Sequence, residues 1–212
     1  MSQIAVMFGL CALLLPTAAW ADPIWINQFG SVTITNAGII SNGAELMSFD
    51  GITAPPKHSL GSVSFSTGAL TSGSLWSGGT FSGTGSSFDV YGVGRWVKTL
   101  TGCSSCTNPV TLFTASFASP IEWRVVSHSG YDYVFMLSGV VKGELYNGRF
   151  VSGYTRQTIV VYQNQWFQDH KGDLRSGKTN FAINGPEPGT LGLFATGLIV
   201  LAGAMRRRLF GS

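Results

Sequence analysis

Residues 121–162 read IEWRVVSHSGYDYVFMLSGVVKGELYNGRFVSGYTRQTIVVY. In Ile121 to Val126, Ile121, Trp123 and Val125 fall on one side of an extended chain, and Glu122 and Arg124 on the other. Tyr133, Phe135 and Leu137 repeat the alternation. Val140 to Tyr146 and Thr155 to Tyr162 continue it, with Ile159 and Val161 as inward positions. A period of two marks half-buried strands. Tyr146-Asn147-Gly148-Arg149 places an Asn-Gly pair between two such runs, the strongest short hairpin signal.

Upstream, the same reading gives strands at Ser31 to Thr35, Ser62 to Ser66, Ser87 to Tyr91, Trp96 to Leu100 and Thr111 to Phe117. No helix-period pattern of useful length interrupts them. Gly73 to Ser87 contains Trp76 and Phe81 among Ser-Gly steps and reads as turns around short strands. Short strands about ten residues apart indicate an all-β body. The expected fold is an antiparallel β-sandwich, jelly-roll or Ig-like, with a barrel as the second choice.

Composition agrees. Of 212 residues 28 are Gly, 44% are hydrophobic and only 11% charged, against roughly 25% charged in average soluble domains. The formal charge of +3 misleads, because Arg206, Arg207 and Arg208 stand together near the end. Without them the body is near neutral and has no basic stripe. A nucleic-acid partner is therefore not expected.

Both ends follow membrane rules. Ile4 to Leu15 is apolar except for Gly9, Pro16 ends it, and Ala19-Trp20-Ala21 is the small-residue step that signal peptidase reads. The region before it lacks Lys and Arg. At the other end Pro186-Glu187-Pro188 precedes Gly189 to Met205, an uncharged run, and then the three arginines. As a helix that run spans about 26 Å, enough for a bilayer core. The arginines would stop it on the cytoplasmic side. The expected organisation is a signal helix at 1–21, the β domain at 22–171, a linker at 172–185 and a tail with a transmembrane helix at 186–212.

Pro186-Glu187-Pro188-Gly189-Thr190-Leu191, the glycine-bearing apolar run and Arg206 to Arg208 together resemble the PEP-CTERM sorting signal. The resemblance covers about 27 residues. It implies recognition by exosortase, a membrane-embedded transpeptidase-like enzyme, in bacteria that make exopolysaccharide. It implies an inner-membrane stage with a periplasmic body, and then the cell surface or extracellular matrix. The tail is sometimes labelled an ice-binding C-terminal domain, but the body has one Thr33-Ile34-Thr35 pair and no regular threonine array. The stretch from Thr80-Phe81-Ser82-Gly83 to Trp166-Phe167-Gln168-Asp169-His170 resembles uncharacterised bodies on other PEP-CTERM proteins, which adds no mechanism.

Chemistry-bearing residues are few. Cys103 and Cys106 read as a small disulfide pinning a loop in an oxidising compartment, at about 2 kcal/mol. Redox and zinc readings lack a supporting context, with only His58, His128 and His170 to assist. Asp169 to Asp173 lacks a calcium-loop pattern. No cofactor or metal is expected. Glu122, Asp132 and Glu144 lie on adjacent strands, so a glycosidase-type pair is a reading to weigh against solvated strand charges. Trp76, Trp96, Trp123, Tyr131, Tyr133, Tyr146, Tyr154 and Trp166 would stack on sugar rings if exposed, or fill the core if not. Trp166 with Asn164 and Asp169 is the best local glycan-binding cluster. The expectation is a non-catalytic, exported envelope or matrix protein associated with exopolysaccharide, with a carbohydrate-binding module and then a glycoside hydrolase as alternatives.

Overall fold

The computed structural model describes residues 23–103, 108–118, 120–130, 132–162 and 170–182, with backbone alone for 23–29 and 182. The elements are β1 (Pro23–Thr35), β2 (Gly38–Phe49), β3 (Ile52–Thr53), β4 (Gly61–Ser66), β5 (Leu70–Ser74), β6 (Gly78–Phe81) and β7 (Ser87–Gly92). Then come α1 (Arg95–Thr101), β8 (Val110–Phe117), β9 (Ile121–Ser129), β10 (Asp132–Leu145), β11 (Phe150–Tyr162) and β12 (Lys171–Ala182).

Eight strands close into a barrel in the order β1-β2-β4-β7-β8-β10-β11-β12 and back to β1, every pair antiparallel. Each wall strand pairs with the next wall strand in the chain. Closure removes the exposed sheet edges that an open sheet must protect. β3 is a short addition to β2. β10 is shared: Val141 to Leu145 pair with β8, whereas Asp132 to Ser138 pair with β9. From β9 the sheet continues through β6 to β5. Leu70, at the start of β5, donates its backbone N–H to the Asn36 carbonyl in the β1–β2 turn at 2.8 Å.

The expected sandwich is thus replaced by a barrel. Alternation cannot separate the two, since both send every second side chain inward. What differs is which strands pair, and the deciding pair is β1 with β12. The sequence reads as a linker over 172–185, yet Lys171–Ala182 is the closing strand. Its inward positions carry Gly172, Leu174, Gly177, Thr179 and Phe181, all buried. Only two of these are large and apolar, so the stretch looks polar in the sequence.

A second correction concerns Trp96 to Leu100, which is helical rather than extended. Gly102 ends α1 in the left-handed conformation (φ 66°), the usual glycine helix stop. Seven residues are too few to display a helical period. The remaining strand expectations coincide with β1, β4, β7, β8, β9, β10 and β11. The β10–β11 hairpin turns at Asn147-Gly148, with Gly148 at φ 78° and the Arg149 N–H donating to Asn147 Oδ1.

An eight-stranded barrel is just wide enough for side chains to fill, and here large aromatic rings do so. Trp123 is fully buried and stacks on Phe135 at 4.4 Å between centroids; Phe81 meets it edge-on. Its indole N–H donates to the Leu75 carbonyl at 2.8 Å, which meets the polar need of a buried Trp. Phe88 joins Phe65, Phe113 and Phe117 in one contact group. Among the described residues no helix is long and apolar enough to cross a membrane; the expected signal and tail helices lie outside the described residues.

Candidate functional site

The aromatic residues that a sugar-binding face requires are mostly spent on the core. Trp123 is wholly buried, and Trp76, Trp96, Tyr133 and Tyr146 are half-buried against the same cluster. Trp76 meets Tyr133 edge-on at 4.9 Å, and His128 stacks on Tyr133 at 4.1 Å. Trp96 donates its ring N–H to the Leu60 carbonyl at 3.0 Å. Burial, and secondarily the Asp50 charge, raises the Tyr146 hydroxyl above the ordinary tyrosine pKa. Tyr154 is the exception, 40% exposed on the outer wall. Trp166, Asn164, Asp169 and Tyr131 lie outside the described residues.

The three carboxylates do not converge. Glu122 faces Ser138 across the β9–β10 pairing. Asp132 and Glu144 stand six positions to either side of Ser138 on β10. At about 3.4 Å per residue each step is about 20 Å along the strand. Glycosidase pairs sit roughly 5–9.5 Å apart. All three side chains are exposed, as solvated strand charges are. Among the described residues no group of three His, Cys, Asp or Glu side chains gathers as a metal site.

Cys103 follows the α1 stop at Gly102 and is disulfide-bonded. Cys106 lies outside the described residues, as do Ala19, Ala21, Pro186, Glu187, Pro188 and Arg206 to Arg208.

Two features were missed in the sequence. The first is a polar cluster inside the barrel on β11 and β12. Gln157 Nε2 donates to Thr155 Oγ1 at 2.6 Å, and Thr179 Oγ1 donates to Thr155 Oγ1 at 2.8 Å. All three residues are fully buried, and Gln157 Oε1 has no partner. Their inward parity beside Ile159 and Val161 was the available signal. The second lies on the opposite side of the same strands. Tyr154 and Arg156 point outward with the Arg156 guanidinium 5.4 Å from the Tyr154 ring centre. Lys178 stands opposite Arg156 and Asn180 opposite Tyr154 on β12.

The class defined by these observations is a filled, eight-stranded up-and-down barrel followed closely in the chain by a separate C-terminal segment. That segment, residues 186–208, matches the PEP-CTERM protein-sorting motif, so the chain carries an exosortase sorting signal. The motif implies processing by exosortase and sorting to the cell surface or the extracellular space. No curated protein and no solved structure matches the chain.

Proposed function

We propose that this protein is a non-catalytic component of the bacterial envelope or matrix, delivered through the inner membrane and associated with exopolysaccharide through its barrel. The observation that carries the reading is the sorting motif at 186–208. The wide spacing of Glu122, Asp132 and Glu144 speaks against hydrolysis by these residues. Signal peptidase would release the chain after Ala21, and exosortase would act at Pro186-Glu187-Pro188, with Arg206 to Arg208 holding the tail until then.

Intact mass of the protein from cells and from culture medium tests the processing. The expected medium species lacks residues 1–21 and the segment beyond the motif. An uncut chain recovered from the soluble cytosol would overturn the reading. Retardation in gels containing the host exopolysaccharide tests the association, and Trp166→Ala asks whether the Asn164–Asp169 segment contributes. Reducing-end release abolished by Glu122→Gln or Glu144→Gln would establish a hydrolase instead.

A further inference from the structure

We infer that the outer wall of β10, β11 and β12 is a docking face for an acidic, uronate-bearing polysaccharide. This rests on the polysaccharide association proposed above and gives it a chemical class and a place.

Strand register builds the face. On β11, Tyr154 and Arg156 are neighbours on the outward side, both exposed. Across the β11–β12 pairing Arg156 meets Lys178 and Tyr154 meets Asn180; across β10–β11 Tyr154 meets Val140, and Ser152 meets Lys142. Lys142, Tyr154, Arg156 and Lys178 therefore form a cation–ring–cation–cation track. From the Lys142 level to the Arg156 level is four residues, about 13 Å, long enough for consecutive sugar units. Glu144 and Glu122 border the track at its two ends.

The cations and the ring together favour an anionic sugar chain as occupant. Arg156 and Lys178 stand directly opposite each other on neighbouring strands, which concentrates positive charge at that level of the wall. The Arg156 guanidinium already lies over Tyr154, so its planar fork is held in place for a carboxylate. The exposed part of the ring offers a surface for the C–H face of a pyranose. Asn180 and Ser152 supply donors and acceptors for hydroxyls.

The test is affinity electrophoresis of the full-length protein in gels containing polygalacturonate, dextran or no polymer. Retardation is expected with polygalacturonate alone and should weaken as salt rises. Arg156→Gln and Tyr154→Ala should each reduce apparent affinity roughly tenfold, and Arg156→Lys should lose less. Lys98→Gln on α1 removes the same charge elsewhere and should change nothing. Thermal melting of each variant confirms folding. Equal retardation by dextran overturns the acidic class while leaving polysaccharide association intact. Retention unchanged in folded Arg156→Gln and Tyr154→Ala overturns this face. Absence of retardation in every gel, the host polymer included, removes the parent reading. Co-sedimentation with phosphatidylglycerol vesicles, lost in the same variants and without gel retardation, assigns the face to lipid and overturns the proposal.

Discussion

The two sides of the barrel interior are built differently. On the β4, β7 and β8 side, Phe65, Phe88, Phe113 and Phe117 fill the space with rings. On the β11 and β12 side, the inward positions include Gly153, Thr155, Gln157, Gly177 and Thr179. One side is filled by rings; the other is a seam where Val151, Ile159, Val161, Leu174 and Phe181 alternate with small residues that admit a buried amide. The barrel shows that closure does not require the same chemistry around its circumference.

The largest test of this contrast falls on the aromatic side. Phe88→Ala deletes a wholly buried ring in contact with Phe65, Phe113 and Phe117. It should cost about 3–5 kcal/mol of unfolding free energy, read from the midpoint shift in urea. A loss below about 1 kcal/mol would mean that the rings are not the main apolar anchor.

Next comes the seam. A Cβ at Gly177 would run into the Gln157 amide, so Gly177→Val should destabilise by about 1–3 kcal/mol through overpacking. Pairing it with Gln157→Ala should recover part of that loss in a double-mutant cycle, because the two residues compete for one space. Simple additivity would break the seam picture.

The smallest effect sharpens it. Gln157→Leu replaces an amide whose Oε1 has no partner with an apolar group of similar size. Stability should stay within about 1 kcal/mol of the parent or rise slightly, again by urea denaturation. A large loss would show that the Gln157–Thr155–Thr179 network is a positive contributor.

The same contrast explains what could be read in advance. β9 and the first half of β10 carry large apolar residues at every second position, β11 ends on inward Ile159 and Val161, and the Asn147-Gly148 turn is unambiguous, so strands and hairpin are legible. β12 hides because its inward side is Gly172, Gly177 and Thr179 as well as Leu174 and Phe181. Missing that strand removed the partner of β1, and with it the one pairing that turns a sheet into a barrel. α1 was missed for want of length. The sorting segment was readable because its order of motif, apolar run and arginines is local. The Tyr154–Arg156 face was not, because it exists only through cross-strand register with Lys142 and Lys178.

Lys171–Ala182 completes the wall by pairing with Pro23–Thr35, and only residues 183–185 separate it from the motif. The first wall strand must therefore wait for the last to complete its pairing. Ring formation is deferred until the chain is available almost as far as the motif. Long-range pairing of this kind is slow, so sealing of the ring is a late step in assembly of the wall. A cut at the motif then leaves every strand of the filled barrel in place.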